Sequence, residues 1–361
     1  MNFDLNEKEL ALPEKVKKLI ADGGLLVPEA IEEAPPKEVE AALRPCLKRL
    51  AETGYLSAAV GKKKQDELLS LLAAQKELAR SSQVLLFATE LQRLVCSWIA
   101  DHGGETQSIT SGEQIAVVAV SESVAMRTEA IKSGGEYVLN GEKTQVSLAP
   151  MADLFAVCAK TENGLAVFLT PQSAAGLEVG PRIRTLGYDA LCTSPLRLDD
   201  VHVPASNMIN PQDIISDLRT AENRVAVAAA LGIQSLCLEE ATQFANTPKE
   251  KGVKPPAGHQ IIRFTLAEML TLFQTSEILA NRAFAAIAGG DREADSLLLC
   301  AKVFATESAC TVSQQALQIM ASAGYQRPNP VERAFRNARL GPIIGHTSEQ
   351  ARMSIADDIL T

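Results

Sequence analysis

Leucine and valine recur at spacings of three and four between Asp66 and Leu94, through Leu68, Leu69, Leu71, Leu72, Leu78, Val84, Leu85 and Leu86. That is the period of a helix with one face turned to a core. The pattern is mostly helical over residues 1–112, with a break at Pro35-Pro36. The character then changes. Ile115–Val120, Glu136–Leu139, Leu154–Ala159, Ala166–Leu169 and Leu196–Leu198 are short β-prone runs separated by Gly, Asn and Pro, and they predict a small β domain over 113–213. Gly134-Gly135 and Asn140-Gly141 are turn signals, the second reading as a hairpin. After Pro211 the helical pattern returns in Ala- and Leu-rich segments at about 218–246, 260–289, 292–324 and 330–358, enough to bury a bundle core over 214–361. The Pro-, Lys- and Gly-rich 247–258 segment reads as an exposed connection.

Composition narrows the function classes. The 361 residues carry 35 Lys+Arg against 44 Asp+Glu, a net charge of −9, and only 4% aromatics. A phosphate backbone finds neither a basic footprint nor stacking platforms here, so nucleic acid is not an expected partner. The longest uninterrupted apolar run, Val225–Ile233, is far short of the ~20 residues that span a bilayer, so no membrane span is expected. The charged start, Asn2 to Glu9, lacks the basic and apolar regions of a secretory signal, and a cytoplasmic location is expected. Seven cysteines lie singly at 46, 96, 158, 192, 237, 300 and 310, which suggests packed thiols rather than a disulfide framework. His102, His202, His259 and His346 are too scattered to signal a metal site.

Local motifs add a family resemblance. Gly135-Glu-Tyr-Val-Leu-Asn-Gly-Glu-Lys-Thr144, Leu198-Asp-Asp-Val-His-Val-Pro204, Leu231-Gly-Ile233, Gln318 to Tyr325 and Pro330-Val-Glu-Arg-Ala-Phe-Arg-Asn-Ala-Arg339 follow one another in this order. Together they resemble the acyl-CoA dehydrogenase family of flavoproteins. The resemblance implies an α+β fold with an N-terminal helical domain, a central β-barrel-like domain and a C-terminal four-helix bundle. It also implies FAD held between the β domain and the bundle, an acyl-CoA substrate, an electron-transfer partner and a homo- or hetero-oligomer, dimeric or tetrameric. The chemistry would be α,β-desaturation: a carboxylate removes the weakly acidic α-proton of the thioester while donors hold the enolate oxygen.

The residue that performs this proton removal in many members is a Glu in a Y-E-G-T-S motif, and the matching stretch here is Ile344-Gly345-His346-Thr347-Ser348. A glycine cannot take a proton. In branches that resemble the isovaleryl and long-chain types, the Glu comes instead from the opening helix of the bundle. Counting back from Leu231-Gly232 puts that position on Glu222; a shift of one residue puts it on Asn223. Glu222 is in helical phase with Ala226, Ala229 and Ile233, among apolar neighbours whose desolvation raises a carboxyl pKa. A Glu in a first helical turn is also a common partner of the helix dipole. Gly345 keeps, under the resemblance, the amide N–H that binds the thioester oxygen; equally, it is a glycine that ends a helix.

For the cofactor, the resemblance points to Ser121, Ser147, Gln318, Thr347 and Ser348, with Lys249 replacing a pyrophosphate-binding Arg as a point charge. Ala321-Ser322 stands where the family has paired glycines. Arg336 and Arg339 share a helix face and suit either a phosphate or, with Glu332, an ion-pair ladder. Three functions fit the sequence: a dehydrogenase with Glu222 as base, a non-catalytic subunit of a heteromeric enzyme, and a redox-neutral eliminase similar to 3-sulfinopropionyl-CoA desulfinase.

Overall fold

The computed structural model describes residues 6–23, 25, 29–61, 67–122, 125–248 and 255–360. The chain forms two compact units, one of residues 1–29, 65–86 and 222–361, the other of 30–64 and 87–221. The helical N-terminal stretch, expected as one domain, is therefore shared between them.

The first unit is helical. It holds α1 (Glu7–Ala21), which Asn6 opens by accepting the amides of Lys8 and Glu9 while Glu9 reaches back to the Asn6 amide. The second unit takes α2 (Pro36–Glu52), whose leading proline suits a position where no N–H partner is needed. The helical pattern over 66–94 forms two helices, α3 (Leu68–Ser81) and α4 (Gln83–Asp101), separated at Ser82, whose backbone is extended at φ −152° and ψ 104°. After the short α5 (Gln107–Thr110) comes the sheet: β1 (Ala116–Ala119), β2 (Glu129–Ser133), β3 (Glu136–Val146), β4 (Leu154–Thr161), β5 (Gly164–Pro171), β6 (Leu177–Val179), β7 (Ser194–Pro204) and β8 (Met208–Ile209).

The strand order is β6–β7–β3–β2–β4–β5–β8, and β1 runs parallel beside β4. Gly134-Gly135 is the expected turn between β2 and β3. Asn140-Gly141 is not a hairpin: β3 continues through it to Val146, with a bulge against β7. Gly141 sits at φ +150°, and a Cβ there would lie 2.7 Å from Thr128 Oγ1, so the glycine serves close backbone approach instead of chain reversal. Arg44 of α2 fixes the sheet with paired bonds of 3.0 Å to both Asp153 oxygens, and Asp153 Oδ2 also accepts the Ile115 amide at 2.7 Å.

The remaining helices are α6 (Ile214–Asn246), α7 (Gln260–Gly289), α8 (Ala294–Met320), α9 (Ser322–Tyr325), α10 (Pro330–Ala338) and α11 (Ser348–Leu360). In the first unit Ile233, Cys237 and Ala241 of α6, Met269 of α7, Ala305, Ala309, Val312 and Ala316 of α8, and Val331 and Ala334 of α10 share one buried core. Many of these side chains are small, which lets helices approach closely. Buried Gln234 is satisfied there by Ser276 Oγ and the Ala305 carbonyl, each 3.2 Å from its Nε2. Helices α6 and α8 are long and apolar enough to cross a membrane by composition, although charged residues interrupt their apolar runs. Of their most apolar windows, 72% and 56% is buried within the protein, as packed core helices require.

Candidate functional site

The segment expected as one helix over 330–358 leaves helical geometry after Ala338 and resumes it at Ser348. The turn between is held residue by residue. The Ile343 and Ile344 amides donate to the Leu340 carbonyl at 2.9 and 3.0 Å, and the Ser348 amide to the Pro342 carbonyl at 2.9 Å. The His346 amide donates to Asn223 Oδ1 at 3.1 Å. The Thr347 amide donates to Gln350 Oε1 at 3.1 Å, while Thr347 Oγ1 accepts the Gln350 amide at 3.2 Å, a reciprocal cap that starts α11. From 343 to 348, the Gly345 N–H alone makes no hydrogen bond among the described residues.

Gly345 has φ +69°, and a Cβ on it would stand 2.4 Å from Asn223 Oδ1 and 3.2 Å from the Asn223 nitrogen. Asn223 is 2% exposed and thus fills the space beside the position where a carboxylate is absent. Of the two α6 residues the sequence brought forward, Asn223 reaches Gly345. Partly buried Glu222 precedes it by ~100° of helical rotation. The sequence reading did not single out His346 as a functional residue, yet its Nδ1 lies 3.0 Å from Asn223 Nδ2.

Lys302 of α8 was also missed. Its ammonium is fully buried and donates to the carbonyls of Pro342, at 3.2 Å, and His346. Desolvation pulls its pKa down to about 8, against the raising influence of Glu307 and Glu349. A lysine in an Ala- and Leu-rich helix was the available signal, because a buried cation must find partners.

Elsewhere in this unit, Gln318 is exposed on α8 and Ser348 is buried. Ala321, which ends α8, adopts φ +51° and ψ −130°, a conformation natural to glycine. Arg336 is committed to Glu332, with Nε 2.6 Å from Oε1, which favours the ion-pair reading for that residue. Arg339 lies over the Phe335 ring at 4.5 Å. Lys249 falls outside the described residues.

In the β unit, Ser121 is exposed beside a buried charge pair. Glu122 Oε1 accepts from Lys143 Nζ at 2.6 Å, the Thr128 hydroxyl at 2.6 Å and the Thr128 amide at 3.1 Å; Oε2 accepts the Arg127 amide. Burial opposes ionisation of Glu122, but Lys143, Thr128 and the Arg127 amide outweigh it and bring its pKa down to about 2. The pair orders the two ends of the 121–128 loop. Ser147 is partly buried, with its hydroxyl 3.5 Å from that of Thr193.

Comparison with known proteins places this arrangement. Residues 118–201 match the family model for the middle domain of acyl-CoA dehydrogenase, and residues 216–360 match that for its C-terminal domain. The chain belongs to the acyl-CoA dehydrogenase family. Benzylmalonyl-CoA dehydrogenase from Aromatoleum aromaticum is 30% identical over 99% of this chain and 100% of its own length. Butyryl-CoA dehydrogenase from Megasphaera elsdenii has the same fold, with a TM-score of 0.87 at 23% identity and complete coverage of both chains. Glutaryl-CoA dehydrogenase from Mycobacterium smegmatis, solved in complex with FADH2, aligns with a TM-score of 0.85 at 22% identity, over 98% of this chain and 95% of that one. As an acyl-CoA dehydrogenase family member the chain is an oxidoreductase, and its fold is helix-rich with a central sheet.

Proposed function

We propose that this protein desaturates a CoA thioester between its α and β carbons, with Glu222 removing the α-proton and the Gly345 amide binding the thioester oxygen. The observation that carries this reading is the unengaged Gly345 N–H in a turn whose neighbouring amides are all bonded. A donor held at fixed geometry favours the enolate oxygen over the neutral carbonyl, and needs no reorganisation as charge develops. Lys302 and Asn223 keep that donor in place by fixing the backbone on either side of it. Asn223 offers no basic atom, and Glu222, next to it on α6, is the carboxylate that the family resemblance names for proton removal.

The residues present fit FAD. Ala321 keeps the backbone conformation of the glycine that the family resemblance puts there, and Ser147 and exposed Gln318 offer polar groups. Ser121, Thr347 and Ser348 complete the set the resemblance names, with Lys249 suited to the pyrophosphate. Bound FAD supplies the two-electron acceptor that side chains lack. The reading calls for an external electron-transfer partner, and a cytoplasmic, oligomeric enzyme is part of the proposal.

The test is optical. Purified protein should be yellow and should bleach with one or more saturated CoA thioesters from a set of straight, branched and alicyclic chains. Glu222→Gln should keep the spectrum and slow bleaching by about 10²–10⁴-fold. A yellow protein that no thioester bleaches, or unchanged kinetics in the variant, rejects the proposal. Colour acquired only on mixing with a second subunit would point to a non-catalytic chain.

A further inference from the structure

We infer that Asn223 is a positioning residue that fixes the His346 imidazole as its Nε2–H tautomer, so that the ring is a hydrogen-bond donor at Nε2 and not a substitute base for the missing carboxylate. The argument begins with the orientation of the Asn223 amide. Its Oδ1 accepts the His346 backbone N–H at 3.1 Å. Turning the amide over would set Nδ2, which can only donate, against that N–H, two donors facing each other.

The remaining bond is then determined. Asn223 Nδ2 lies 3.0 Å from His346 Nδ1 and can only donate, so Nδ1 must accept and the ring proton of neutral His346 resides on Nε2. Both bonds come from one side chain that is 2% exposed, in a turn that Lys302 also holds through the His346 carbonyl. Protonating the ring would set an Nδ1–H against the Asn223 amide hydrogens, which opposes the imidazolium. Lys302 on α8 feels Glu307 on the same helix and Glu349 and Arg352 on α11; Arg339 opens the turn itself, and Glu222 and Arg224 flank Asn223 on α6.

The consequence for chemistry is specific. In this tautomer Nε2 has no lone pair for a proton, and Nδ1 is occupied by Asn223. An imidazole next to the vacant base position would otherwise be the natural replacement for a Glu. The tautomer stands independently of any reaction.

The experiment uses the full-length protein labelled with ¹⁵N at histidine and examined by magic-angle-spinning NMR at pH 8. His346 is assigned by the signals lost in His346→Gln. The expected spectrum has Nδ1 unprotonated and Nε2 protonated; a protonated Nδ1 overturns the inference whatever the enzyme's activity. Asn223→Asp replaces the donor with an acceptor and should move the proton to Nδ1. Unchanged His346 signals in folded Asn223→Asp protein would remove Asn223 from the role. Should that variant fail to fold, the wild-type spectrum decides the tautomer alone.

Discussion

A Cβ at Gly345 and Oδ1 of Asn223 would lie 2.4 Å apart, closer than the two atoms can stand. A side chain at 345 would have to displace the Asn223 amide, and with it the bond that Oδ1 accepts from the His346 N–H. This makes the absence of the Glu a property of two positions rather than one. Gly345→Glu alone is therefore expected to give no gain in thioester-dependent flavin bleaching. Gly345→Ala should destabilise by about 1–3 kcal/mol from positive φ, with the clash adding to it, measurable as a shift in urea midpoint.

Glu122 and Lys143 form a buried pair whose separation would leave a charge without its partner. Glu122→Gln is expected to lose about 3–5 kcal/mol near neutral pH. The pH dependence has a fixed sign. A carboxyl with folded pKa about 2, against an ordinary value of 4.5, contributes stability that is complete above about 4.5 and disappears as the pH falls towards 2. The difference between wild type and variant in equilibrium unfolding should shrink across that window, and a pH-independent difference would contradict it.

Lys302 behaves in the opposite sense from an exposed lysine. Its folded pKa of about 8 lies below the ordinary 10.5, so between these values the unfolded chain binds more protons and stability from this residue rises with pH. Lys302→Met should abolish that rise. It should also slow flavin bleaching, because the Pro342 and His346 carbonyls lose the donor that fixes the turn. Unfolding free energies from pH 7 to 10.5 for both proteins check the first expectation, and stopped-flow absorbance checks the second.

Ala321 holds a glycine conformation with an alanine. Replacing it with Gly relieves the strain, and Ala321→Gly is expected to raise stability by about 1 kcal/mol, read as a higher calorimetric midpoint. A lower midpoint would show that the flexibility gained by the unfolded chain outweighs the relief.

How much of this was legible in the sequence varied with the physics involved. Helical periodicity located α6 and α7, and the β-prone runs located the main strands, because burial on one face leaves a repeating mark. Boundaries set by conformation left weaker traces. Asn140-Gly141 looks like a turn until Thr128 is seen packed against Gly141. The break between α10 and α11 falls in a segment apolar enough to continue as helix. The site was legible as a vacancy at Gly345, but the choice between Glu222 and Asn223 as its neighbour depends on helical phase at a resolution of one residue. Counting from Leu231-Gly232 across an ungapped stretch could not supply that resolution. Lys302 left one trace, a lysine among the alanines and leucines of α8, but its partners and that of His346 are backbone carbonyls and an uncharged amide, which carry no sequence signature.

Gly232 of α6 faces Ala79 of α3, where a Cβ would lie 2.3 Å from the Ala79 Cβ and 2.7 Å from its backbone carbon. Nine residues separate this contact from Asn223, two and a half turns along the same rod. The glycine therefore acts as an indexing notch: it locks the azimuth of α6, and with it the direction in which residue 223 projects. A bulkier residue at 232 would rotate or lift the rod and misalign a hydrogen-bonded pair it never touches, so substitutions in this quiet stretch of alanines can reach the chemistry from more than a full turn away.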